Sequence, residues 1–281
     1  MKRILTGLTA ISLVALSAAG RCDEAAAAPA APTETGPFAT GNFSSTLSFT
    51  TNYMFRGISN SDGPAIQGSF DWTYEGFFLG AWGSNTEFSD ANLEIDYYGG
   101  YRWGWSGLDF VLQGIWYTFP GDNKDTSDGF DPAGGLNTNY AEANVGVSHT
   151  FEGEVAPSVG VNVFYSPDTF AEDGGNITVQ GNFGLTLPAA IGAYAVVGYT
   201  KFDGDLVTGL PGGLGGYDYL YFQVGVNKVV KGFKLDLSYV GTDKSTSLEG
   251  AYANVPTRLG SGDNFRDLID SQVVFSVSRT F

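Results

Sequence analysis

The chain has 281 residues, with 14 Lys and Arg against 30 Asp and Glu, a formal charge of −16 and an aromatic content of 15%. The acidic balance argues against a nucleic-acid partner, which needs a basic footprint to neutralise phosphates. A single Cys excludes a disulfide scaffold, and the aromatic content is of the kind that disordered chains lack.

Lys2 and Arg3 precede an apolar run from Ile4 to Leu16, followed by small residues up to the Ala25–Ala28 tract. This order predicts a secretory signal peptide over residues 1–28, cleaved on export. The apolar run is too short for a membrane-spanning helix, which needs about 20 apolar residues. Cys22 invites a lipoprotein reading, but Arg21 stands where lipid attachment wants a small residue. Cleavage near Ala27 or Ala28 removes three of the bases and two of the acids, leaving a mature chain of about −17. Residues 29–41, rich in Ala, Pro and Thr, read as a flexible leader, and residues 42–281 as one domain.

From Phe43 the chain alternates. Phe43, Leu47, Phe49, Tyr53 and Phe55 fall on one face and Ser44, Thr46, Ser48, Asn52 and Arg56 on the other, which predicts a strand over 43–55. Period two returns at 66–74, where Ile66, Phe70 and Trp72 oppose Gln67, Asp71 and Glu75. It returns again at 93–102, where Leu93, Ile95 and Tyr97 oppose Glu94, Asp96 and Arg102. Further alternating runs lie at 155–165, 177–187, 220–226, 233–239 and 273–281. Vaguer runs at 77–84, 108–119, 140–149 and 193–202 bring the total to about twelve, an even number as bacterial outer-membrane barrels require.

Connection lengths sharpen the picture. Loops at 57–64, 85–91, 120–139, 166–175, 203–216 and 243–270 alternate with turns at 75–76, 103–107, 150–154, 188–192 and 228–232. That predicts an all-β, transmembrane up-and-down antiparallel β-barrel with short periplasmic turns, longer extracellular loops and both termini periplasmic. A secreted β-sandwich is the alternative, since its strands alternate too. Against it, aromatic residues gather near strand ends at Trp103, Trp105, Trp116, Tyr117 and Phe119, where a girdle meets the membrane interface. The chain also closes an alternating apolar run with Phe281, like the C-terminal signal of outer-membrane proteins. Arg279 departs from that signal at a place where its side chain can snorkel.

The segments TTNYMFRGIS (50–59), GFFLGAWGSN (76–85), LEIDYYGGYRW (93–103), WYTFPG (116–121) and YSPD (165–168) together resemble the TorF family of proposed porins, the conserved proteobacterial outer-membrane family Gcw_chp. The resemblance runs from about Asn42 to Phe281 and is strongest before residue 170. It implies an outer-membrane barrel with pore activity, and it brings no catalytic residue and no established substrate.

Little in the residues points to catalysis, and the chain is not expected to be an enzyme. His149, the sole His, shares a face with Ala141, Ala143, Val145 and Val147 and is predicted to face lipid near the periplasmic interface, away from interior acids. Glu94 and Asp96 could form the carboxyl pair of a glycosidase, but in a polar lumen they more simply line water or meet Arg56 or Arg102. One His and no mature Cys make zinc or copper implausible. Asp122, Asp125, Asp128 and Asp131 crowd one external loop without calcium-loop spacing, so a solvated acidic loop is expected. Gly212, Gly213, Gly215 and Gly216 lack the Lys-Ser/Thr of a phosphate loop. Neither a cofactor nor a metal is predicted.

The interior acids are then Asp71, Glu75, Glu94, Asp96, Asp109, Glu142 and Asp236, and the interior bases Arg56, Arg102 and Lys234. An acidic lumen attracts cations and repels anions. The expected function is an outer-membrane channel for passive diffusion of ions or small hydrophilic solutes, preferring cations. The alternative is a non-conducting barrel with its interior charges paired into a plug and its acidic external loops binding a partner. About twelve strands lie between the filled barrel of eight and the open channel of 16–18, and the loops at 120–139 and 243–270 could fold inward. Expected partners are outer-membrane lipids and small solutes or ions, with no nucleic acid; an oligomer is left open.

Overall fold

The structure, a computed structural model, describes residues 34–87, 91–121, 137–204, 216–253 and 265–281. The predicted signal peptide lies outside the described residues, as do the aspartates at 122, 125, 128 and 131, the glycines at 212, 213 and 215, and the leader before residue 34.

Among the described residues the strands are β1 (Phe43–Thr50), β2 (Met54–Phe55), β3 (Ile58–Ser59), β4 (Ala65–Tyr74), β5 (Phe77–Asn85), β6 (Leu93–Trp105) and β7 (Leu108–Thr118). They continue as β8 (Tyr140–Thr150), β9 (Ser158–Ser166), β10 (Asn176–Leu187), β11 (Ile191–Phe202), β12 (Tyr217–Val230), β13 (Phe233–Thr242) and β14 (Gln272–Thr280). All except β2 and β3 belong to one closed antiparallel barrel of sequential neighbours, in which β14 returns to β1 and β1 also pairs with β4. Closure removes the sandwich alternative and leaves no edge strand to be satisfied, as a sheet in hydrocarbon requires. The vague runs at 77–84 and 193–202 are the full strands β5 and β11.

Three of the short connections share one chemistry. Glu75-Gly76, Ser106-Gly107 and Lys231-Gly232 each place both residues at positive φ, with φ of 47° and 91°, 53° and 81°, and 52° and 81°. This is the two-residue turn whose twist matches flanking strands, and glycine takes its second position without steric cost. The β6–β7 turn is therefore residues 106–107, shorter than the expected 103–107, because Trp103 and Trp105 continue the ladder opposite Phe110 and Leu108. Glu75 is a turn residue and not an interior acid.

The outer wall is apolar. Leu47, Phe49, Ile66, Phe70, Leu79, Leu112, Val145, Val163, Val179, Val197, Val224, Leu237 and Phe275 are all exposed, and all face away from the barrel axis. A water-soluble protein rarely shows so large a contiguous apolar surface, whereas lipid demands it. Strands of 8 to 14 residues match the roughly 9–11 that cross a bilayer at a tilt. Toward the short-turn end the wall carries a series of ring contacts: Phe77 tilted against Tyr101, Tyr101 stacked with Trp103, and Trp103 stacked with Phe110 at 5.3 Å. The Arg279 guanidinium lies 5.1 Å from the ring centres of both Phe233 and Phe281, so the departure from the C-terminal pattern is shielded by aromatic faces. Tyr117 and Phe119, expected in the girdle, are buried inside instead, because the pleat that sends Trp116 outward turns Tyr117 inward.

The inner wall is polar and close-packed. Large tyrosines are accommodated by glycines on the neighbouring strand: a Cβ on Gly198 would sit 2.1 Å from Tyr221, one on Gly225 2.5 Å from Tyr194, and one on Gly80 2.6 Å from Tyr98. Exposure along this wall is graded. At the short-turn end Thr73, Asp109 and Thr280 are exposed, and Ser148, Lys234 and Ser278 are half-buried. At the long-loop end Glu94, Asp96, Glu142, Thr178 and Thr200 are buried.

Candidate functional site

What buries the long-loop half of the lumen is the connection between β1 and β4. The expected strand over 43–55 ends at Thr50, and residues 51–64 fold into the barrel around the β2–β3 hairpin. Its turn is Arg56-Gly57, with φ of 48° and 83°, the same signature as the barrel's own short turns. Asn52 fastens the base: its Oδ1 accepts from Ser59 Oγ at 2.7 Å and Ser61 Oγ at 3.2 Å, and Ser61 Oγ also accepts from the Tyr53 backbone N–H.

The hairpin's apolar side chains pack into separate parts of the wall. Met54 meets Val240 and Val274; Tyr53 and Phe55 join Trp82, Tyr98, Ile115 and Tyr117; Ile58 joins Val196, Tyr219 and Tyr221. The loop between β13 and β14 adds Leu248, Leu268 and Ile269 to the Ile58 cluster through α1 (Thr246–Ala253) and the turn after it. Lys244 Nζ donates to Asp270 across that loop. The described part of the 243–270 loop thus packs against the hairpin, and among the described residues the main occupant of the lumen is the shorter 51–64 connection.

Arg56 crosses the barrel. From a hairpin rooted between β1 and β4, its Nη2 donates to both carboxylate oxygens of Glu142 on β8 at 2.8 Å, and its Nη1 donates to Asn176 Oδ1 on β10 at 3.4 Å. The guanidinium also lies 5.0 Å from the Phe164 ring centre on β9. Tyr117 OH donates to Glu142 Oε2 at 3.1 Å, completing a buried, charge-assisted network. A small cavity beneath the turn is lined by Phe55, Arg56, Tyr117, Phe164, Gln180 and Tyr221.

The expected interior residues separate into groups along the axis. Asp71, Glu94, Asp96, Arg102, Asp109, Glu142 and Asp236 all occupy inward register positions on the barrel wall. Arg56 does not: it belongs to the hairpin turn, since β1 stops six residues before it. Nor does Arg56 meet Glu94 or Asp96, as it reaches Glu142 instead. Tyr98 OH donates to Asp71, Arg102 lies 4.0 Å from the Phe78 ring centre, and Tyr194 OH donates to Asp236 at 2.8 Å. His149 is on the outer face at the short-turn end, with its Nδ1 2.7 Å from the Gly107 carbonyl oxygen and its ring edge-on to Phe151. Among the described residues no three His, Cys, Asp or Glu side chains converge as a metal site.

The residues missed were those of the hairpin. The signal for them was present in Arg56-Gly57, since an X-Gly pair is also how the barrel makes three of its short turns. Because Gly57 seats the hairpin against β13, its replacement is informative. A Cβ there would meet the Gly241 carbonyl oxygen at 2.6 Å and Tyr221 Cβ at 2.9 Å. Gly57→Ala is expected to weaken seating by roughly 1–3 kcal/mol, measured as faster proteolysis within 51–64 of folded protein, with barrel melting little changed.

Residues 33–281 match the bacterial protein family Gcw_chp, described as of unknown function. The chain belongs to the Gcw_chp family. No curated protein sequence matches it. Among solved structures, this Gcw_chp chain is similar to an outer membrane channel from Pseudomonas putida F1, at 11% identity and a TM-score of 0.43, over 85% of this chain and 95% of that one. It is similar to the Pseudomonas putida toluene transporter TodX at 11% identity and a TM-score of 0.39, over 87% and 90% of the two chains. CdiB from Acinetobacter baumannii matches at 12% identity and a TM-score of 0.39 over 86% of this chain, which spans 61% of the length of CdiB. At these scores the likenesses add nothing to what the sheet itself shows of the fold.

Proposed function

We propose that this Gcw_chp protein is a porin-like channel of a bacterial outer membrane, passing ions or small hydrophilic solutes by diffusion with a preference for cations, and closed in the present state by the β2–β3 hairpin. The observation that carries this reading is the graded lumen. A polar inner wall is accessible at the short-turn end and ends at a hairpin held across the barrel by one ion pair. A barrel that needed only to be stable would fill its interior with apolar side chains, since buried polar groups add little net stability even when satisfied. The pore activity implied by the TorF resemblance agrees with this reading.

The sign of the selectivity follows from the interior charges. Asp71, Glu94, Asp96, Asp109, Glu142 and Asp236 outnumber Arg56, Arg102 and Lys234, and a like-charged ion entering such a lumen is repelled. In a planar bilayer with a salt gradient, the reversal potential is expected to lie toward the cation equilibrium potential; an anion-side value would refute the preference. The burial of the long-loop half favours a second reading, a barrel that never opens and presents its loops to an external partner. Absence of current from a folded protein lacking the hairpin would select that reading.

A further inference from the structure

The buried acids beneath the hairpin are not all neutralised by it. Glu142 receives Arg56 and Tyr117. Glu94 Oε1 accepts from Tyr53 OH at 3.2 Å, while its Oε2 has no hydrogen-bond partner. Asp96, with 0% of its surface exposed, has no hydrogen-bond partner for either carboxylate oxygen. Glu94 and Asp96 lie two residues apart on the inward face of β6, and Asp96 interacts electrostatically with both Glu94 and Glu142. Tyr53 and Trp82 pack over this place from the hairpin and from β5, with ring centres 5.2 Å apart. Arg56 is taken up by Glu142, so neither Glu94 nor Asp96 has an ion-pair partner among the described residues, and an ionised carboxylate in so buried a place is strongly disfavoured unless a cation joins it.

We propose that Glu94 and Asp96 bind a hard cation inside the lumen, beneath the hairpin. The donors fit: carboxylate oxygens, with the Tyr53 hydroxyl beside them, are the ligands that calcium and alkali ions take, and nothing softer is present. No third acid converges on the pair within metal-ligand range among the described residues. The ion therefore keeps part of its hydration and is held weakly, which is the strength a permeation step requires: firm enough to enter, loose enough to leave. Because Tyr53 bonds Glu94, cation occupancy and hairpin seating share a residue. The inference deepens the cation preference proposed above and rests on that reading for its role in transport, though not for binding itself.

The test reads stability, so that it is independent of current. Full-length folded protein in detergent is titrated with CaCl2, and separately with KCl, at constant ionic strength against choline chloride, and its thermal unfolding is followed. The wild type is expected to melt at higher temperature in calcium or potassium than in choline. Asp96→Asn is expected to weaken the apparent affinity at least tenfold, and Glu94→Gln to do the same. Retention of the folded, slower- or faster-migrating barrel band in unheated gel samples shows that each variant has folded; if one does not, the other decides. Equal melting in all three salts, or an unchanged cation response in the folded variants, overturns the site. A cation response together with silence from folded protein lacking the hairpin would sink the channel reading and keep the site, and conductance from that protein without a cation response in the full chain would do the reverse.

Discussion

Arg56→Ala is expected to turn a mostly silent protein into a conducting one. Arg56 makes the ion pair that joins the hairpin to the far wall, and its side chain and that of Glu142 are 9% and 1% exposed. Removing one partner of a buried ion pair costs about 3–5 kcal/mol because the other charge is left stranded. Here the protein has a way to relieve that cost, which is to release the hairpin and let water reach Glu142. A change of that size moves the seated-to-released ratio by about two to three and a half orders of magnitude. Bilayer recordings should show open events that are rare or absent in the wild type. Arg56→Lys should lie between, since an ammonium keeps the charge and loses the planar reach to Glu142, Asn176 and Phe164 together. Exchange of the pair, Arg56→Glu with Glu142→Arg, should restore part of the closure. Unchanged open probability in folded Arg56→Ala would show that apolar packing by Met54, Phe55 and Ile58 holds the hairpin alone.

Val163→Arg is expected to be the most damaging single change on the barrel wall. Val163 pairs with Val145 and Val179 in the middle of β9, on the outward face, and is exposed. An arginine on the lipid face near the bilayer midplane costs roughly 2–4 kcal/mol. The same substitution at Thr73, exposed on the inward face at the short-turn end, meets water and should cost little. Urea unfolding from lipid vesicles measures both. Equal losses at the two positions would mean that the apolar wall does not face lipid.

The barrel was legible because its two requirements are written at different ranges. The pleat fixes a period of two, so Ile66, Phe70 and Trp72 against Gln67 and Asp71 declare a two-faced strand locally. Alternating connection lengths then report which end each turn occupies. Strand ends were less legible, since Trp103 and Trp105 suit an interface whether or not they are still paired. The hairpin is hidden in the sequence for a definite reason. Tyr53 and Phe55 continue the odd-position pattern of β1, so period two alone cannot tell a strand that stays in the wall from one that bends into the lumen. Only tertiary partners decide that: Trp82 for Tyr53, Tyr117 for Phe55, and Glu142 for Arg56. For the same reason the sequence marked Glu94 and Asp96 as interior acids and could not say that Arg56 would pass them by. That Glu94 keeps one bond, from Tyr53, and Asp96 none is a property of the closed arrangement.

The most direct measurement is single-channel recording, in a salt gradient, of folded protein in which the hairpin at 52–62 is replaced by a short Gly-Ser linker. A polar lumen closed by that segment predicts discrete, long-lived openings absent from the full chain, with a cation-biased reversal potential. Silence from the same protein, shown by its unheated gel mobility and melting to be an intact barrel, would contradict it.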